Sequence, residues 1–153
     1  MEFKRFTPEE LYISPFSRRR LYDPDGHVTY VDIERNQRPT GIDQLDFIAR
    51  TLSSGANDYE WMAGQMDVRY EDLCAFVRVM TTCSAHELRR SIMFLLADDL
   101  LRYTNLNVDE IARRCGASSA PNLSQMYRDN RHTTPFSRRK RLRQEGDLGR
   151  FVL

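Results

Sequence analysis

The chain has no run of about 18 apolar residues, so nothing in it is long and greasy enough to be read as a membrane span. Cysteine is scarce: three residues, Cys74, Cys83 and Cys115, odd in number and widely spaced, exclude a secreted disulfide framework. Cys83 and His86 have a ligand-like spacing, but no second pair completes the four donors zinc requires, so no metal site is assigned. Net charge is almost absent, at +1, which taken alone argues against a polyanion partner. Also missing are a glycine-rich phosphate loop, a nucleophile matched to a base and a carboxylate pair in a recognisable setting, and His27, His86 and His132 stand isolated. These absences speak against an enzyme and against any cofactor. Where a secretory apolar segment would sit, the chain reads Thr7-Pro8-Glu9-Glu10, and the expectation is a cytoplasmic protein.

What is present is ordinary globular material, with 41% hydrophobic and 29% charged residues over 153 positions, enough for one full core or two small ones. The charge is unevenly distributed. Residues 1–40 balance, residues 41–85 hold three basic residues against seven acids, and residues 86–143 hold twelve against six. Cations are therefore concentrated in the C-terminal half, where a polyanion could dock.

Helix starts are marked by side chains that can satisfy the first orphan amides. Thr7 with Glu10, Asn57 with Glu60, Ser84 with Glu87 and Asn107 with Glu110 have capping-box spacing, and Thr134-Pro135 places proline at a first helical position. Before Gly41 the pattern is different. Leu21-Tyr22 and Val28-Tyr30-Ile33 flank Asp23-Pro24-Asp25-Gly26, which reads as a β-hairpin with a plain turn, the glycine being misplaced for a calcium loop. Arg18-Arg19-Arg20 reads as a solvated surface run. From Ser84 to Tyr103, Leu88, Ile92, Leu95, Leu96 and Leu100 recur at helical spacing, with Arg89, Arg90, Asp98 and Asp99 largely opposite. Such a helix of about 20 residues spans roughly 30 Å, close to the roughly 34 Å between successive major-groove entries on one face of DNA.

After it, Val108, Ile111, Ala112 and Cys115 give a short helix one apolar side, and Gly116 supplies a left-handed residue that stops it. Ser118-Ser119 then cap a second helix, from about Ala120 to Arg131. Leu123, Met126 and Tyr127 point to a core, leaving Ala120, Asn122, Ser124, Gln125, Arg128 and Asp129 outward. The unit is a helix-turn-helix with a polar outer face.

On these residues the chain resembles the DNA-binding domain of AraC/XylS-type transcription regulators. The resemblance runs from about Ile42 to Arg139 and rests on Leu100-Leu101, Asn107-Val108-Asp109-Glu110-Ile111-Ala112, Gly116, Leu123, Tyr127, Thr134-Pro135 and Arg139. A weaker first copy is carried by Tyr59-Glu60-Trp61-Met62-Ala63, a turn near Asp67, and Arg69 to Met80, with Leu73 equivalent to Leu123. His132 stands where the family has glycine, and Ala117 where it has an aromatic residue. The resemblance implies an all-α fold of two helix-turn-helix subdomains joined by a long linker helix, with a small N-terminal helix and β-hairpin. The expected divisions are an extension over 1–40, a degenerate first subdomain over 41–83, the linker over 84–104, the second subdomain over 105–143 and a tail over 144–153.

The expected partner is double-stranded DNA, bound mainly through the second copy; RNA polymerase or another regulator would be further partners. Asn122 and Gln125 carry amides that can pair bidentately with adenine, with Ser119, Ala120 and Ser124 beside them, and Arg128 and Arg131 are placed to hold phosphates. Arg138 and Arg139, in the run Arg138-Arg139-Lys140-Arg141 with Arg143, extend that grip, and Arg69 and Tyr70 are the first copy's candidates. Glu71 and Asp72 sit where phosphates would approach, which handicaps the first copy by repulsion unless they accept from cytosine. The competing reading is a protein-interaction adaptor on the same scaffold, which the acidic first copy, near-zero net charge and Trp61 favour. The apolar residues Tyr22, Val28, Tyr30 and Ile33 also leave open dimerisation through the hairpin.

Overall fold

A computed structural model describes residues 3–22, 24–32, 39–145 and 150–152. Eight helices and one small sheet appear among them. In chain order these are α1 (Pro8–Leu11), β1 (Arg18–Tyr22), β2 (Val28–Asp32), α2 (Asp43–Ser53), α3 (Tyr59–Gln65), α4 (Tyr70–Met80), α5 (Ala85–Tyr103), α6 (Val108–Cys115), α7 (Ala120–Arg131), α8 (Pro135–Glu145) and β3 (Arg150–Val152). No helix of the described residues is long and apolar enough to cross a membrane.

The helices begin where the side chains can cap them. Thr7 and Glu10 form the reciprocal box expected at α1. Ser84 Oγ accepts from the Glu87 amide at 3.2 Å, and Asn107 Oδ1 from the Glu110 amide at 2.9 Å. Thr134 Oγ1 accepts from the Ser137 amide at 3.2 Å ahead of Pro135. One start is displaced from its expected place. Asp58, not Asn57, caps α3, because its carboxylate reaches the amides of both Glu60 and Trp61.

The chain forms two compact units, Met1–Ile13 with Asn36–Leu95, and Ser14–Arg35 with Leu96–Leu153. The expected single extension over 1–40 is thus divided between them. Its two largest apolar anchors are buried apart: Leu11 lies in the core of the first unit, whereas Phe16 packs edge-to-face on Tyr103 of the second at 5.4 Å.

In the first unit, Leu45, Ile48 and Leu52 of α2 pack with Met62 of α3, Leu73 and Val77 of α4, and Leu88 and Ile92 of α5. The Tyr59 hydroxyl donates to the Ala85 carbonyl at 2.7 Å, fastening α3 to the start of α5, and the Phe6 amide donates to the Met80 carbonyl at 2.9 Å, tying the N-terminal segment to the end of α4.

In the second unit Leu96, Ala97, Leu100 and Leu101 of α5 are buried together with Ile111, Ala112 and Cys115 of α6 and Leu123 and Tyr127 of α7. The hairpin forms with Arg18 opposite Asp32 and Tyr22 opposite Val28, so the arginine run is part of a strand. The end of the chain, expected as a tail, adds β3 antiparallel to β1, giving the order β2-β1-β3. Val28 and Tyr30 are exposed on β2, and Ile33 lies outside the described residues.

Candidate nucleic-acid interface

The second helix-turn-helix is α6, the turn Gly116 to Ser119, and α7. Gly116 adopts φ 86°, a left-handed conformation that costs glycine little and lets the Ala117 amide return to the Ala112 carbonyl at 2.9 Å. Ser119 then caps α7, its hydroxyl accepting from the Asn122 amide at 3.2 Å. At the far end His132 takes φ 54°, the conformation that glycine would supply more cheaply.

Leu123 and Tyr127 are fully buried, which fixes the roll of α7 about its axis. Asn122, Gln125, Arg128, Asp129 and Arg131 are consequently exposed, while Ala120, Ser124 and Met126 are partly covered. The outer face carries its own hydrogen-bond chain. Arg128 donates to Gln125 Oε1 at 3.1 Å, and Gln125 Nε2 donates to Asp129 at 2.8 Å, while Asn122 Nδ2 donates to the Ser118 hydroxyl. These bonds are exposed, each worth about 1 kcal/mol or less, so a base edge can replace them. Arg113 and Arg114 at the end of α6 are exposed and share the carboxylate of Glu110.

Behind α7 lies a polar anchor in place of pure apolar packing. The Tyr127 hydroxyl donates to Asp98 Oδ1 at 2.8 Å. Arg138 of α8 places Nη2 3.0 Å from Asp98 Oδ2 and Nε 3.3 Å from Oδ1. Burial, followed by the negative charge of Asp98, pushes the Tyr127 phenol far above its ordinary value. One carboxylate of the linker helix thus receives a donor from each of the two helices that follow the turn.

Arg138 and Arg139, expected in a phosphate-gripping run, both direct guanidinium donors to groups of their own chain. Arg138 is held by Asp98, and Arg139 donates to the carbonyls of Leu101, at 2.9 Å, and of Leu106. Arg143 likewise donates to the Thr104 carbonyl at 2.6 Å. The cause is the last turn of α5 and the loop after it, where carbonyls at a helix C-terminus lack helical partners and accept from arginines of α8. Burial, then the neighbouring Arg143 charge, lowers the affinity of Arg139 for its proton. Lys140 and Arg141 of the same run are exposed.

Sequence reasoning also missed Asp98, which it assigned to the polar side of the linker helix. No local signal marks this residue, because its partners are 29 and 40 positions away.

The first helix-turn-helix is α3, a turn in which Asp67 takes φ 54°, and α4. Asp67 fills by side-chain chemistry the role that Gly116 fills by having none, since aspartate tolerates the left-handed region better than most residues. Leu73 and Val77 are buried; Tyr70, Glu71, Asp72, Ala75, Arg78 and Val79 are exposed. Arg69 precedes the first turn and forks onto Asp72 through two bonds, Nε to Oδ2 at 3.0 Å and Nη2 to Oδ1 at 3.1 Å. Trp61 is half exposed, with its ring stacked on Phe47 at 6.1 Å, so it is neither core nor a free anchor.

No family model and no curated protein matches the chain. Solved structures do. The DNA-binding domain of AdpA, a global transcriptional factor crystallised with a target DNA, is 23% identical, covers 67% of this chain and 94% of its own length, and superposes with a TM-score of 0.60. The C-terminal domain of AraT, a response regulator from Geobacillus stearothermophilus, is 22% identical over 65% of this chain and 82% of its own, with a TM-score of 0.58. A transcriptional regulator from Chromobacterium violaceum described as of AraC type is 21% identical over 65% of this chain and 90% of its own, with a TM-score of 0.56. The paired helix-turn-helices, the linker helix and these likenesses agree: the chain has the fold of AraC-type DNA-binding domains.

Proposed function

We propose that the chain is a sequence-specific DNA-binding regulator of transcription whose affinity comes mainly from the second helix-turn-helix. The observation that carries this reading is α7 itself. It presents Asn122, Gln125 and Arg128 outward, while Tyr127 and Asp98 hold it from behind.

A recognition helix must be rigid on its inner side and polar on its outer side, because misplacing base-reading groups by an ångström forfeits their hydrogen bonds. In this reading Gln125 and Asn122 address base edges, and Ser119, Ala120 and Ser124 line the close approach at the start of the helix. Arg128 and Arg131 neutralise phosphates, as do Arg113 and Arg114 alongside. Arg138 and Arg139 in this reading hold the loop and helices that position α7. That the AdpA domain was solved on its target DNA supports the assignment of double-stranded DNA as partner.

The test is fluorescence anisotropy on a labelled duplex over a range of salt concentrations. Each phosphate contact removed lowers the slope of log K against log salt by about 0.9. Arg128→Ala and Arg131→Ala should each flatten it by about that amount, and Arg139→Ala should act through stability. An adaptor that has lost DNA would give no salt-dependent binding for any of these proteins.

A further inference from the structure

We propose that the first helix-turn-helix reads a guanine through Arg69, with Asp72 holding the guanidinium in position. This rests on the reading of the chain as a DNA-binding protein and names what its acidic copy does.

Two acids at the start of α4 look like an obstacle to DNA. The geometry changes that reading for one of them. Asp72 is engaged side-on by Nε and Nη2 of Arg69, so its charge is matched by a cation on the same turn. This fork uses two of the five guanidinium N–H groups and leaves the outward edge, one N–H on each terminal nitrogen, for a second acceptor pair. No other described group is bonded to Arg69. Two parallel donors at that spacing match O6 and N7 of guanine, the commonest specific contact in the major groove.

Position favours the same partner. Arg69 is the residue immediately before α4 and Asp72 lies in its first turn. In a helix-turn-helix the N-terminal end of the second helix is the part that meets base edges.

The two copies can be compared through their own cores. Setting the buried Leu73 and Val77 of α4 on the buried Leu123 and Tyr127 of α7 puts Arg78 on Arg128, Asp72 on Asn122 and Ala75 on Gln125. The first copy has kept the arginine of the outer face and lost both amides that suit adenine. Its replacement reader is the arginine that precedes the helix.

Stability gives no reason for the pair. The two side chains are 79% and 53% exposed, and ion pairs in that setting contribute little. What the fork does provide is order, because an arginine held by its neighbour loses less side-chain freedom when it meets a base. Glu71, exposed on the same turn, adds negative charge that disfavours nearby phosphates. The first copy therefore contributes choice of sequence more than affinity.

The experiment uses the full chain and a labelled duplex carrying the highest-affinity motif recovered from random DNA, with each base pair replaced in turn and binding followed by anisotropy. Wild type should show one G·C pair, apart from those sensitive to Gln125→Ala, whose replacement weakens binding by roughly 5- to 150-fold, the span expected of one bidentate pair. Arg69→Ala and Arg69→Lys should both make that position indifferent and leave the Gln125-dependent positions unchanged, since lysine keeps the charge but not the fork. Asp72→Ala should reduce the preference at the same pair even though it removes an acid. Because both residues are exposed, these variants should keep the wild-type melting curve, which is checked by circular dichroism.

A preference that survives Arg69→Ala overturns the proposal. So does an Asp72→Ala protein that binds every duplex more tightly with discrimination intact. If every preferred position answers to Gln125 or Asn122, the second copy's role stands and this one falls; if wild type prefers no sequence, both fall.

Discussion

Removing the carboxylate of Asp98 should loosen the recognition helix more than any exposed substitution on it. In Asp98→Ala the Tyr127 hydroxyl loses an acceptor at 2.8 Å and Arg138 loses a counter-charge at 3.0 Å. Breaking a buried ion pair by deleting one partner costs about 3–5 kcal/mol, because the other charge stays in a poor solvent. Here the two side chains retain 27% and 24% exposure, so the low end applies, about 3 kcal/mol with the tyrosine bond included. For a chain of this size that is a fall of about 6–12 °C in melting temperature, at about 2–4 °C per kcal/mol. Asp98→Asn, which keeps an acceptor for Tyr127 but not the charge, should lose about half as much. Urea denaturation followed by circular dichroism reads both values, and amide exchange in α7 shows where the loss falls. A change below about 1 kcal/mol in Asp98→Ala would refute the reasoning, since it would mean that the carboxylate neither holds Arg138 nor orders Tyr127.

Other substitutions test single steps of the account. His132→Gly should stabilise the protein by about 0.5–1 kcal/mol in the same urea titration, since glycine takes the left-handed conformation at φ 54° without strain. Ser119→Ala, which removes the cap of α7, should cost about 1 kcal/mol and weaken DNA binding with it. Native-state alkylation should spare Cys115, because burial both hides its thiol and pushes up its pKa, while the partly exposed Cys74 and Cys83 react first; mass spectrometry of the labelled protein checks the order. The Asp72 carboxyl should titrate by NMR below the usual aspartate range, since its hydrogen bonds to Arg69 favour the charged form. The small stability it brings is thus present above the unfolded pKa and fades as pH falls through the lowered one. In Arg69→Ala its titration should return upward.

The helices and both turns were legible because their signals are local. Thr7, Ser84, Asn107 and Ser119 cap the helices they precede, and Gly116 and His132 take the left-handed conformations their positions demand. The reading face of α7 was legible for the same reason, as two buried residues, Leu123 and Tyr127, set the roll of a helix whose other positions follow by geometry. What escaped was set by distance along the chain. Arg138 and Arg139 read as surface cations because their acceptors, Asp98 and the carbonyls of Leu101 and Leu106, lie more than thirty residues earlier. The short strand Arg150–Val152 escaped for a like reason: nothing in three residues announces a partner at Arg18–Arg20. The division of the first forty residues depended on where Leu11 and Phe16 found cover, which no local pattern encodes.

Selection of random duplex DNA on the purified chain tests the central claim most directly. A recognition helix held as α7 is should enrich one motif, and the Gln125→Ala protein should lose preference at defined positions within it. Recovery of an unenriched pool, or of the same motif with Gln125→Ala, Asn122→Ala and Arg128→Ala combined, would contradict the account.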